Sequence, residues 1–386
     1  MTVPADDAPR DVIFTFAYAS WKTAVDRGMC FSEDRLAEAL LGHPRVRRLM
    51  VVETPRSLPI KLAREALRRP PPFPATERAT LYSPVRARRM DPRGFAALER
   101  TYGRWERRLR VAAERRGLER PALVTTHPLV PGFADPDWVD SLTYYVYDDW
   151  AAAPGFRRWW PAYEEVYRRV RERRHRVAAV SEAIIRRIDP LGPHLVVPNG
   201  VDPEEWADPQ PPPDWFAALP SPLLLYVGSL DARVDVAQLV AAARAHPTGS
   251  LVVAGPMLDE DHFRPLRAEP NVHLRGTQAR ERVVSLVSAA DVCLIPHVHN
   301  ALTEAMSPLK LYEYLAAGRP VAALDVPPIR DVSRRVVIAD ELADAIARAL
   351  ELGPASQDER RQFAEANSWR RRQERVVDLV LAPPVQ

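Results

Sequence analysis

The chain has 386 residues, more than one hydrophobic core usually serves, so two domains with a cleft between them are expected. With 46% hydrophobic and 27% charged residues, and no run of about 18 apolar residues, it reads as globular rather than membrane-spanning. Its two cysteines, Cys30 and Cys293, exclude a disulfide framework and a zinc site.

The N-terminal run MTVPADDAPRDVIF has no basic segment leading into an apolar core, so the expected compartment is the cytoplasm. The net charge of +3 conceals an asymmetry: residues 1–200 carry 35 Lys+Arg against 25 Asp+Glu, and residues 201–386 carry 19 against 26. A basic first half suits nucleic acid, a phosphorylated acceptor, or peripheral contact with the inner face of an anionic membrane. Solvated helix faces are the plainer alternative, because 104–116 and 168–176 interleave arginines with glutamates and apolar residues. No nucleic-acid motif accompanies them, so nucleic acid is not expected as a partner. Lysine is confined to Lys22, Lys61 and Lys310, a bias of GC-rich genomes that makes a retained lysine informative.

In chain order, residues 12–18, 46–52, 121–126, 142–147, 176–181 and 194–200 read as strands, and 95–117 as the longest helix. The proline-rich stretch 208–222 reads as a linker marking the hinge. Strands are then expected at 221–229, 250–255, 271–276, 291–296 and 320–324, alternating with helices at 234–246, 279–290 and 307–318. The pattern is α/β: two Rossmann-like, doubly wound parallel sheets, 1–203 and 204–367, each taking ligands at the carboxyl ends of its strands. A last helix in 368–386 is expected to cross back to the first domain.

The segment SPLKLYEYLAAGRP (307–320) has both ends of a helix written into it. Ser307 suits an N-cap, Pro308 the first helical position, and Gly318 before Arg319-Pro320 the stop. The strand before it delivers the helix start to the carboxyl edge of the sheet, so its free amides, from Ser307 and Leu309 onward, and its positive dipole end expect a phosphate. Lys310 in the first turn is unfavourable there unless an anion neutralises both. Glu313, three residues on, shares its face and suits a ribose diol. An ordinary amphipathic helix with an exposed Lys-Glu pair is the plainer alternative.

In the first half, His127 follows a strand and is expected to project into the cleft; so are Asp148 and Asp149, either of which could orient or deprotonate an acceptor hydroxyl. Adjacent carboxylates also invite a metal, but the donor motifs all lie in the second half, and no metal is expected.

Those motifs carry a resemblance. PNGVD (198–202), YVGSLDARVDV (226–236), LVVAGP (251–256) and SAADVCLIPHVHNALTEAMSPLKLYEYLAAGRPVA (288–322) resemble, in order, the segments of GT-B glycosyltransferases of the retaining family 4 type. With the DDW segment at 148–150, they resemble a bacterial subgroup of teichuronic-acid glycosyltransferase-like proteins. The resemblance implies transfer of a sugar from a nucleoside-diphosphate donor, such as a UDP-, GDP- or dTDP-sugar, with retention and without a metal or other cofactor. The acceptor hydroxyl would belong to a saccharide, a lipid-linked saccharide or a small molecule.

It implies that Gly228 ends the first donor strand, that Lys310 and Arg233 neutralise the leaving diphosphate, and that Glu313 holds the ribose. A glycine-containing loop of the first domain, on the acceptor side with His127, would lie near the diphosphate, where Lys22 or Gly28 could serve. The family often has a second glutamate separated by seven residues from the ribose glutamate and preceding it; here that place is Ala305, with Glu304 beside it, so Asn300, Thr303 and Glu304 are the candidates for the sugar. A sugar-nucleotide epimerase of the same architecture, and a non-catalytic sugar-nucleotide-binding partner of another glycosyltransferase, are the alternatives.

Overall fold

The computed structural model describes residues 8–57, 73–86 and 90–383. The chain divides into two compact units, Met1–Pro198 with Arg372–Gln386, and Asn199–Arg371. Among the described residues no helix is long and apolar enough to cross a membrane.

The first unit contains β1 (Arg10–Thr15), α1 (Trp21–Asp26), α2 (Ser32–Gly42), β2 (Val46–Val52), β3 (Arg56–Ser57), β4 (Ala79–Tyr82) and β5 (Val85–Arg86). These are followed by α3 (Phe95–Glu114), β6 (Ala122–Thr125), α4 (Val130–Phe133), β7 (Ser141–Val146), α5 (Trp160–Glu172), β8 (Arg176–Ala179), α6 (Glu182–Ile188) and β9 (His194–Val196). Seven strands form one parallel sheet in the order β4-β2-β1-β6-β7-β8-β9. β1 sits where the order reverses, so its carboxyl end and that of β6 flank the switch point. Its residues Val12, Ile13 and Phe14 have no exposed surface, as expected of a strand covered on both faces.

The second unit contains α7 (Asp214–Ala217), β10 (Leu223–Val227), α8 (Val236–Ala245), β11 (Ser250–Ala254), β12 (Val272–Arg275), α9 (Arg280–Ala289) and β13 (Val292–Ile295). Then come α10 (Ala301–Ala305), α11 (Leu309–Ala316), β14 (Val321–Leu324), β15 (Val336–Ala339), α12 (Leu342–Leu352) and α13 (Gln357–Ala366). The parallel order is β12-β11-β10-β13-β14-β15. Strand alternation builds two cores: Leu225, Cys293 and Ala323 pack with Leu311, Tyr314 and Leu315 of α11, while Leu224, Tyr226 and Val253 pack with Leu239 and Ile346. β15, α12 and α13 extend the pattern beyond the elements read from sequence.

The proline-rich stretch is not a linker. The two units divide between Pro198 and Asn199, and 208–222 lies inside the second. Phe216 and Trp206 are fully buried in its core, so the prolines shape a packed segment rather than a flexible one.

The last helix, α14 (Trp369–Leu381), ends in the first unit. Its final carbonyls, which no helical amide can reach, are taken by arginines. Arg176 donates to Val380 O at 2.9 Å and Ala382 O at 2.8 Å, and Arg10 to Ala382 O at 2.9 Å.

Candidate functional site

The order of the second sheet reverses between β10 and β13, and three segments meet at the carboxyl ends of these strands. The loop after β10 runs against the one after β13: Val234 bridges His297, Val298 N donates to Arg233 O at 2.9 Å, and Asp235 N to Pro296 O at 2.7 Å. The first turn of α11 brings in Lys310. Its ammonium lies 4.3 Å from the Tyr226 ring centre, a cation–π contact, and donates to Tyr226 Oη at 3.0 Å and His297 Nε2 at 3.3 Å.

Burial, and then the charge of Arg233, pull the Lys310 ammonium down to about 7. Burial, then Lys310 and Arg233, hold His297 well below its ordinary value, so the imidazole is neutral. Because Nε2 accepts from Lys310, the ring proton belongs on Nδ1, which has no partner among the described residues. Arg233 is held by Asp231 at 2.7 Å. Lys310 has no carboxylate within ion-pair distance among the described residues.

Two glycines let the backbone come this close. Gly255, at φ 147°, ends β11 so near Gly228 that a Cβ would overlap the Gly228 carbonyl. A Cβ on Gly228 would lie 2.6 Å from Lys310 Nζ and 3.0 Å from Tyr226 Oη.

The structure corrects the start of α11. Pro308, not Ser307, is the N-cap, and the helix begins at Leu309. Ser307 is spent on the loop that begins the unit: its Oγ accepts from Asn199 N at 2.9 Å, and its carbonyl from Asn199 Nδ2. The predicted stop holds, with Arg319 N bonded to Tyr314 O and Gly318 N to Leu315 O. The amides of Leu309 and Lys310 lie in the first turn and have no acceptor within the helix. Glu313 Oε1 is held by Arg280, which also grips Glu205 and lies over the Trp206 ring.

The sugar candidates are differently disposed. Asn300 and Thr303 are engaged in capping α10: Asn300 Oδ1 accepts from Leu302 N and Thr303 N, and Thr303 Oγ1 accepts from Asn300 N and donates to Val298 O. Thr303 is fully buried, which removes it as a surface ligand. Glu304 is half-buried, 4.0 Å from His299.

In the first unit, two expectations fail through burial. His127 is 2% exposed beneath Tyr18: Nδ1 accepts from Leu129 N at 3.2 Å, Nε2 lies 3.4 Å from Tyr102 Oη, and burial pulls its value down to about 4. It is a neutral structural imidazole. Asp149, also 2% exposed, accepts from Ala151 N at 3.2 Å and Tyr167 Oη at 3.0 Å and pairs with Arg187, so both oxygens are engaged inside the unit. Asp149→Asn should therefore cost about 2 kcal/mol in thermal unfolding, while turnover per folded molecule stays within about twofold; loss of a general base would cost about a hundredfold or more.

Asp148 is half-buried and follows β7. Lys22 pairs with Asp26 at 2.8 Å one turn along α1, and exposed Gly28, at φ 77°, turns the chain after that helix. Sequence reading passed over Glu33. Its carboxylate, 2% exposed, accepts from Ala17 N at 3.0 Å and Thr126 Oγ1 at 2.8 Å and pairs with Arg27, joining the ends of β1 and β6.

Comparison with known proteins agrees with this geometry. Residues 221–352 match the glycosyl transferases group 1 family. TuaH of Bacillus subtilis (strain 168), named for a proposed role as a teichuronic acid biosynthesis glycosyltransferase, is 26% identical over 158 residues. That match takes in 38% of this chain and 40% of TuaH, so it spans less than half the length of this curated relative. Among solved structures, sucrose-phosphate synthase from Thermosynechococcus elongatus superposes with a TM-score of 0.68 at 19% identity, over 96% of this chain and 98% of that one. An E. coli trehalose-6-phosphate structure bound with UDP-2-fluoro glucose superposes with a TM-score of 0.68 at 12% identity, over 97% and 100% of the two chains.

Proposed function

For a chain with the GT-B glycosyltransferase fold whose residues 221–352 belong to group 1, we propose transfer of a sugar from a nucleoside-diphosphate sugar to an acceptor hydroxyl, with retention and without a metal. The observation that carries this reading is Lys310, a half-buried lysine at the switch point with no carboxylate within ion-pair distance among the described residues. A desolvated charge left unpaired is costly, and a diphosphate supplies what is missing. The amides of Leu309 and Lys310 and the cation of Arg233 would share it, and Glu313, oriented by Arg280, would hold the ribose diol through its other oxygen.

The bond from the anomeric carbon to the diphosphate oxygen breaks and a bond to the acceptor oxygen forms on the same face. Negative charge grows on the diphosphate, so cations fixed beside it strengthen in the transition state. The departing phosphate oxygen takes the acceptor's proton, which is how retention proceeds without a protein nucleophile. The neighbour bound with UDP-2-fluoro glucose makes UDP-sugars the first donors to try, ahead of GDP- and dTDP-sugars. A two-cysteine chain suits a reducing compartment, which supports the cytoplasm or the inner face of its membrane.

The test is a thermal-shift panel of UDP, GDP, dTDP and their sugars, followed by nucleotide release in the presence of acceptors. A nucleotide at 100 times its Kd should stabilise the protein by about 2.7 kcal/mol. No shift with any of them would overturn the reading.

A further inference from the structure

Three arginines of α3, two of them in the run 104–116 that reads as a solvated face, border a cavity. β2 and β4 end at one edge of the first sheet, and Pro55, residues 84–86 and 90–92, and residues of α3 between Ala97 and Arg108 border a cavity of about 420 Å³. Ligands of such sheets bind at this carboxyl edge. Arg86, Arg100, Arg104 and Arg108 line the space, with Asp91 its only lining carboxylate among the described residues.

Asp91 is already taken, by Arg86 at 2.7 Å and Tyr102 Oη at 3.1 Å. The glutamates interleaved along α3 face elsewhere: Glu99 pairs with Arg169 at 2.8 Å, and Glu106 accepts from Trp138 Nε1 at 2.5 Å. Arg108 donates to Val85 O at 3.2 Å. Arg100 and Arg104, one helical turn apart, meet no carboxylate among the described residues. Trp105 also lines the cavity; it is 8% exposed, and its indole Nε1 has no partner among the described residues. An excess of guanidinium donors beside two aromatic side chains, Tyr102 and Trp105, is chemistry for an anionic sugar: forked donors for the anion and ring faces for the apolar side of a pyranose.

We propose that this cavity is an acceptor subsite that takes the phosphate or carboxylate of an anionic saccharide, held by Arg100 and Arg104. The proposal rests on the glycosyl-transfer reading and names its acceptor class.

Calorimetry on the full chain tests it, with inorganic phosphate, glucose 6-phosphate, glucuronic acid and glucose as probes and R100Q/R104Q as the variant. One of the anions should bind at least about tenfold more tightly than glucose. R100Q/R104Q should erase that difference while leaving the thermal midpoint and UDP binding unchanged. Equal binding of glucose and all three anions by the wild type, or an anion preference that survives in R100Q/R104Q, overturns the proposal. So does arginine-dependent binding confined to vesicles of anionic phospholipid, which would make the patch a membrane contact. UDP affinity, read separately, reports on glycosyl transfer itself, so the two failures are distinguishable.

Discussion

Lys310→Ala should lower kcat/KM by about thirtyfold to a thousandfold, the roughly 2 to 4 kcal/mol that one preorganised charge contributes when it opposes charge developing in a transition state. Its stability should hold or rise. The folded state keeps this lysine protonated less readily than the unfolded chain, because burial and Arg233 bring its ammonium down to about 7. Between that pH and the ordinary lysine range the unfolded chain binds the extra proton, so stability attributable to Lys310 rises with pH there, and at lower pH the charged side chain is a burden. Removing it removes the burden. Steady-state kinetics with thermal unfolding at pH 6.5 and 9 checks both parts: equal rates for mutant and wild type, or a large stability loss, would contradict the assignment.

The paired glycines should separate fold from site. Gly255→Ala places a methyl group against the Gly228 carbonyl at a backbone conformation that L-residues avoid, with no flexible atom to yield, and should cost about 3 kcal/mol or more. Gly228→Ala, at φ 156°, carries backbone strain as well, but its methyl group meets the free end of Lys310, 2.6 Å away, which can move. It should lose less stability than Gly255→Ala and should also lose nucleotide affinity, because the ammonium leaves its seat on Tyr226. Comparing unfolding midpoints and UDP affinity for the two variants decides the matter, and the reverse pattern would show the glycines misassigned.

The donor half was legible because its signals are local. The run 46–52 in the first half gave β2 to the residue, and the stop of α11 is spelled by Gly318-Arg319-Pro320. The start of α11 was misplaced because Ser307 has two uses for its hydroxyl, and the loop at Asn199, over a hundred residues away, claims it. The seat of Lys310 was illegible for the same reason: Tyr226 reads as one more apolar strand residue, and only the β10–β13 pairing brings it and His297 to the ammonium.

Composition misled twice. Prolines made 208–222 look like a hinge although Phe216 anchors it in a core. The interleaved run 104–116 reads as a solvated helix face, whereas Glu106 finds a partner away from the cavity that Arg104 lines. His127 and Asp149 do follow strands, but polar residues at strand ends serve packing as readily as chemistry, and burial decided between them.

The central claim, that Lys310 awaits a diphosphate, is tested most directly by titrating UDP into the protein at pH 8 in buffers of different ionisation enthalpy. In the free protein most Lys310 side chains have lost their proton at that pH, and a bound diphosphate restores it. The account predicts uptake of close to one proton per UDP bound, abolished in Lys310→Met together with most of the affinity. UDP binding with no proton uptake, or with equal affinity in Lys310→Met, would contradict it.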